Sequence, residues 1–211
     1  MQALLAISRG IDRVNAFIGK AVMWLILLAV LVSAGNAVSR KLFNLSSNAW
    51  LELQWYLFGA AFMGAAAYTL QQNEHIRIDV FYGSRSRRTQ HWIDLFGHIF
   101  FLLPFAALMA WYLWPYTMQA WRSGQISTNA GGLIIWPARA ILLAGFVMLA
   151  AQALAEIVKK IAVIRGLIPD PHPFVSAQEH ALQEVEELKA EVQAKTAEAK
   201  TAEAKTGEAQ K

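Results

Sequence analysis

Residues 95–121 read LFGHIFFLLPFAALMAWYLWPYTMQAW, a run of 27 residues in which His98 is the one ionisable side chain of the Asp, Glu, Lys, Arg and His set. A helix needs about 20 predominantly apolar residues to cross the hydrocarbon core of a bilayer. This run has them, with Trp and Tyr gathered toward its end, where an interfacial aromatic belt would sit. Three other stretches repeat the pattern. Lys20 and Arg40 bracket 19 uncharged residues, Glu52 and Glu74 bracket 21, and Leu133–Ala155 is interrupted only by Arg139. The sequence predicts an all-α integral membrane protein with four transmembrane helices, at about 19–39, 50–72, 92–118 and 134–158.

The overall composition, 56% hydrophobic and 16% charged over 211 residues with no cysteine, blends two populations. Residues 176–211 hold eight acids, five lysines and no aromatic residue, for a net −3; residues 1–175 hold 14 Lys and Arg against seven acids, for +7. The predicted organisation is a membrane domain over 1–168, a Pro-rich linker over 169–175 and an acidic, repetitive tail over 176–211. The linker follows from Pro169, Pro171 and Pro173, which resist helix. The tail repeats Lys-Thr-Ala-Glu-Ala and suits a partly helical or disordered spacer in solvent. Disulfide scaffolds are excluded by the absence of cysteine. The basic balance reports topology rather than nucleic-acid binding, because its charges sit in loops between spans.

The same loops give an orientation. Arg9, Arg13, Lys20, Arg77, Arg85, Arg87, Arg88, Lys159, Lys160 and Arg165 fall on one side, and Arg40, Lys41, Arg122 and Arg139 on the other. The positive-inside bias places both termini in the cytoplasm. The first apolar run starts too late, and has Asp12 before it, to read as a cleavable signal peptide.

Within the spans, small and polar residues recur at helical spacing. Ala29, Ser33 and Asn36 mark the first, Ala60, Gly64 and Ala67 the second, and Gly145, Gln152 and Glu156 the fourth. Small residues let helix backbones approach closely, and polar groups in hydrocarbon need partners. These faces therefore point at protein, either at one another or at a larger membrane partner. Glu52 opens the second span, where Asn48 is placed to cap the helix and the helix dipole favours an acid. Arg40 and Arg139 are its candidate counter-charges, and a proton-relay role is the functional alternative. Pro104 should kink the third span. His98 is the candidate haem ligand, which leaves a four-helix redox protein carrying haem or quinone as an alternative reading. A membrane scaffold assembling through its tail is another. No HExxH, CxxC, GxxxxGK[ST] or GxSxG pattern occurs, so no enzyme, resident cofactor or metal is expected.

Two loops are distinctive. Between spans two and three, His75-Ile76-Arg77-Ile78-Asp79 alternates charged and apolar residues, as suits an amphipathic cytoplasmic segment at the membrane surface. Its mixed-sign charges also suit a specific partner contact. Between spans three and four runs Ser123-Gly124-Gln125-Ile126-Ser127-Thr128-Asn129-Ala130-Gly131-Gly132-Leu133-Ile134-Ile135-Trp136-Pro137. Here paired glycines make a turn, and Pro137 opens the fourth helix.

Together, the four spans, Glu52, the His75–Asp79 stretch and the Ser127–Pro137 loop resemble the small membrane subunit, of DctQ type, of tripartite ATP-independent periplasmic (TRAP) transporters. The resemblance covers roughly residues 10–165. Many members carry Gly-Glu-x-Ser and Gly-Leu-Pro-x-Trp in the last loop, where this chain has Gln125 and Ile134 in place of the acid and the proline. The resemblance implies a helper subunit in a bacterial inner membrane. In that family a large membrane subunit carries the substrate and sodium sites, and a periplasmic substrate-binding protein delivers a substrate that is commonly a carboxylate. The small subunit packs against the scaffold of the large one. Glu52, Ala60, Gly64, His75, Arg77, Asp79, Ser127, Asn129, Gly131, Gly132, Trp136 and Pro137 are then the candidate interface or structural residues.

Overall fold

A computed structural model describes residues 1–45, 47–74, 82, 85–171, 185, 188 and 189. His75, Arg77 and Asp79, and the tail apart from Val185, Leu188 and Lys189, lie outside the described residues. The chain divides into two compact units, Met1–His172 and Pro173–Lys211.

Among the described residues of the first unit five α-helices succeed one another: α1 (Gln2–Phe43), α2 (Asn48–Gln71), α3 (Arg87–Gly97), α4 (Leu103–Ser123) and α5 (Trp136–Ile164), with α3 running into α4 through a π turn at His98–Leu102. Among the described residues three stretches are long and apolar enough to cross a membrane: α1, the continuous Arg87–Ser123 helix and α5. α2 has 24 residues, about 36 Å at 1.5 Å per residue. Its Glu52, Gln54, Tyr56, Tyr68 and Thr69 dilute its apolar character, so it does not join the three on composition.

α1 packs along α2, α2 along α5, and α4 along α5, with a further α1–α5 seam. Named contacts give the directions. Gly19 lies against Tyr68 and Gly64 against Val22, which sets α1 and α2 antiparallel; Gly145 lies against Met63. Phe105 meets Phe146 and Trp121 meets Trp136 edge-on, at ring centroid separations of 5.9 and 4.4 Å, so α4 and α5 are antiparallel too. The core is built of small side chains, with Ala67, Ala106, Ala120, Ala153 and Ala162 fully buried. Bulky residues face outward, the inverse of a water-soluble bundle and the arrangement a hydrocarbon solvent permits.

The break in the third helix comes earlier than Pro104 itself. Proline has no N–H to offer the carbonyl four residues back, and its ring crowds that carbonyl. The chain answers with the wider π turn at His98–Leu102, which ends just before Pro104 enters the first turn of α4. Pro115 lies inside α4 as well. α1 begins at Gln2, well before the apolar run that starts after Lys20, because its first turns pack against α5.

Candidate functional site

The loop between α4 and α5 is a short finger. α4 ends at Gly124 in the left-handed region, φ +60°. The strand-like segments after it pair antiparallel: Ser127 N–H donates to Leu133 O at 2.8 Å and Ile135 N–H to Gln125 O at 3.0 Å, with Ile126 and Ile134 forming a bridge. The tip turns between Asn129 and Gly132, closed by Gly132 N–H to Asn129 O at 3.0 Å. Gly131 there has φ +69°, a conformation glycine adopts without penalty.

This folding aims three donors at one point, which Glu52 occupies. Its Oε1 accepts from Ser127 Oγ and, at 2.8 Å, from Asn129 Nδ2; its Oε2 accepts from the Leu133 N–H at 2.6 Å. Glu52 is 4% exposed. A carboxylate so held is satisfied by hydrogen bonds to its charged form, without a cation. Two further bonds fasten the finger to the same helix: Asn48 Nδ2 to Ala130 O at 2.9 Å, and Tyr56 Oη to Ile134 O at 3.1 Å. Gly132 is required by space. A Cβ there would lie 2.5 Å from Ser127 Cβ and 2.8 Å from Glu52 Oε1.

Two sequence expectations are corrected here. Glu52 does not pair with Arg40 or Arg139: Arg139 Nη1 donates to the Tyr116 carbonyl at 2.9 Å, and its guanidinium lies 3.5 Å from the Tyr116 ring centroid. A neutral cage has replaced the ion pair. Asn48 does not cap α2 either. Ser47 holds the N-cap position with no side-chain cap bond, and the Asn48 amide is spent on the finger.

The remaining candidates fall in several places. Trp136 and Pro137 open α5, with Trp136 stacked edge-on against Trp121. Gly64 is used inside the chain, since a Cβ would lie 2.8 Å from Val22 Cγ1. Ala60 is half-buried on α2. His98, in the π turn, lines a cavity of about 10 Å³ shared with Asn73, Glu156, Lys159 and Asp170. That is room for one water.

A second polar cluster, at the opposite end of α5 from the finger, joins residues that sequence reasoning does not connect. Asn15 Nδ2 donates to Gln152 Oε1 at 2.7 Å, and Gln152 Nε2 donates to Asp12 Oδ1 and Glu156 Oε1, each at 2.8 Å. Lys159 Nζ reaches Asp12 Oδ1 at 3.1 Å and Glu156 Oε1 at 2.5 Å. Gln152 is 0% and Asn15 2% exposed. A signal is present in the spacing: Gln152, Glu156 and Lys159 share one face of α5, and Asp12 and Asn15 one face of α1. Beside them Lys160 Nζ donates to Asp94 Oδ2 at 2.7 Å and joins α5 to α3.

Residues 29–163 match the family described as tripartite ATP-independent periplasmic transporters, DctQ component. The chain belongs to the DctQ family. That match takes in α2 with Glu52, the whole finger and nearly all of α5, and it ends before the tail. A DctQ chain is a transporter component, not a member of an enzyme family, and three apolar helices give this one a multi-pass membrane character. No curated protein and no solved structure matches it.

Proposed function

We propose that this DctQ chain packs against and stabilises the large membrane subunit of a TRAP transporter. The assembly takes up a carboxylate-type substrate, coupled to sodium, after a periplasmic binding protein delivers it. The observation that carries this reading is the family match over residues 29–163, which covers most of the helical body. The body is in keeping with a support role. Its two polar clusters are engaged by contacts within the chain, and many large apolar side chains, Phe17, Trp24, Phe62 and Trp111 among them, are exposed on its surface.

In this reading α2 is the fourth spanning helix. It lies between α1 and α5, each apolar enough to cross, and its length matches the bilayer core. Both termini are then cytoplasmic and the finger extracytoplasmic, in the bacterial inner membrane. The His75–Asp79 segment is a cytoplasmic contact of the assembly.

Co-expression with the large subunit of the same transporter tests the function. A tag on this chain should recover the large subunit from detergent, and deleting the chain should abolish sodium-dependent uptake in cells. Uptake that persists without it, together with a homo-oligomer in place of the complex, rejects the reading. Reporters fused after Lys211 and inserted at Asn129 should report opposite sides of the membrane.

A further inference from the structure

α1 is longer than a bilayer crossing requires. Its 42 residues extend about 63 Å at 1.5 Å per residue, against a hydrocarbon core of about 30 Å. The apolar run that crosses starts after Lys20, so the turns before it need another environment. Gly19 lies against Tyr68, close to the end of α2. Asn15 meets Gln152, and Ser8 Oγ donates to the Ala155 carbonyl at 3.3 Å. Residues 2–20 therefore run beside the closing turns of α2 and the second half of α5, toward the end at which both helices leave the hydrocarbon.

This section of α1 has three faces. Ser8, Asn15 and Gly19 are buried against the body. Ile7, Val14 and Phe17 turn outward, Phe17 with 76% of its surface exposed. Arg9, Arg13 and Lys20 are exposed as well. At 3.6 residues per turn these three cations fall within about 40° of arc and span about 16.5 Å along the helix. They form one stripe, next to the apolar one. None of the three makes an ion pair or a side-chain hydrogen bond among the described residues. Asp12, on the same turns, faces inward to Gln152 and Lys159. Glu156 and Asp94 are matched by Lys159 and Lys160. The charges of this end are thus sorted, with these acids and lysines paired inside the body and the α1 stripe left unmatched.

Unmatched cations beside an apolar stripe, where hydrocarbon gives way to headgroups, fit one class of molecule. A phospholipid presents phosphate oxygens at headgroup depth and acyl chains directly below them. An Arg fork takes two phosphate oxygens at once, and the long stems of Arg and Lys lie along apolar surface while their charged heads reach outward. A headgroup of net negative charge gains most, since each cation near the surface adds its own attraction. An acidic peptide in water would cover the cations and leave Ile7, Val14 and Phe17 bare. An apolar helix would do the reverse.

We propose that residues 2–20 of α1 form a binding site for an anionic phospholipid, with Arg9, Arg13 and Lys20 on its headgroup phosphate and Ile7, Val14 and Phe17 along its acyl chains. The leaflet, the cytoplasmic one, rests on the orientation proposed above. The site itself depends neither on that orientation nor on the large subunit.

Native mass spectrometry of the purified full chain in a neutral detergent counts the lipids that stay bound. Phosphatidylglycerol should remain on the chain at concentrations at which phosphatidylcholine does not. Each charge near a headgroup contributes roughly fivefold, so the triple variant Arg9→Gln, Arg13→Gln, Lys20→Gln should bind phosphatidylglycerol on the order of a hundredfold more weakly. Its lipid-free Tm should stay unchanged, because the three side chains are exposed. Arg40→Gln with Lys41→Gln removes two charges from the last turn of α1 and should leave the affinity as it was. Phe17→Ser should weaken binding several-fold through lost apolar contact. Inorganic phosphate at the same concentration should not displace the lipid. Equal retention of the two lipids, or an unchanged affinity in the triple variant, would overturn the proposal. Displacement by phosphate would overturn it in favour of a bare anion site. Intact phosphatidylglycerol binding by the triple variant, with loss of the large subunit, would assign the stripe to an acidic surface of that partner instead. Reporters that reverse the topology would overturn the leaflet alone, since lipid binding is read on the purified chain.

Discussion

Both oxygens of Glu52 are engaged, and that sets what substitutions there do. An amide has one accepting oxygen and a pair of donors. Glu52→Gln therefore keeps either the Ser127 and Asn129 contacts or the Leu133 contact, and turns an N–H against a donor at the other. In sealed, correctly oriented vesicles, proteolytic cleavage of the finger should rise on the order of fivefold, the factor that one net hydrogen bond represents. An unchanged cleavage rate would mean that the finger is held by its Asn48 and Tyr56 bonds alone. Gly132 acts at the same point through volume. In Gly132→Ala the new methyl meets Ser127 Cβ at 2.5 Å, and relief requires the finger to lift from Glu52. Overpacking of this kind costs about 1–3 kcal/mol, readable as a drop in Tm of the detergent-solubilised chain. The same methyl at Gly124, where nothing lies within 4 Å, carries only the cost of its left-handed backbone.

At the scale of elements, apolar runs in the sequence place the helices, because run length and helix length are one quantity in a membrane. They do not place the start of α1. Arg9, Asp12 and Arg13 interrupt apolarity there, and hydropathy reads such residues as the end of a span. The helix continues because Asp12 and Asn15 find partners on α5, a pairing between residues 137 and 140 positions apart that periodicity within one helix does not display. Glu52 and the finger are each conspicuous in the sequence, yet nothing there joins them, since a carboxylate held by neutral donors leaves no complementary charge to look for. The α1–α5 seam yields its own prediction. Gln152→Leu strands the buried Asn15 amide and takes one donor each from Asp12 and Glu156, which keep Lys159, and should cost about 1–3 kcal/mol, measured by thermal unfolding. Adding Asn15→Leu removes one stranded group, so the double variant should lose less than the sum of the two single losses. Strict additivity would show that Asn15 and Gln152 act independently, against the 2.7 Å bond between them.

For the whole molecule, the relevant division is between the helical body and the C-terminal tail. α5 ends at Ile164, the first compact unit closes at His172, and the family match ends at residue 163. Every aromatic residue precedes Ser176, and the tail carries −3 against +7 for the rest of the chain. A sequence of repeated Lys-Thr-Ala-Glu-Ala has little apolar surface to bury, so it contributes little to a fold or to a hydrophobic interface. Charges of this kind interact weakly through water, where salt screens them beyond about 10 Å at 0.1 M. Truncation after Phe174 should therefore leave the Tm, the membrane yield and the recovery of the large subunit unchanged within error, at low and at high salt. Loss of the complex at high and low salt alike would assign a docking role to the tail and return the assembly-by-tail reading to first place. Loss confined to low-salt conditions would instead mark the tail as an electrostatic aid to assembly, with the specific contact still in the helices.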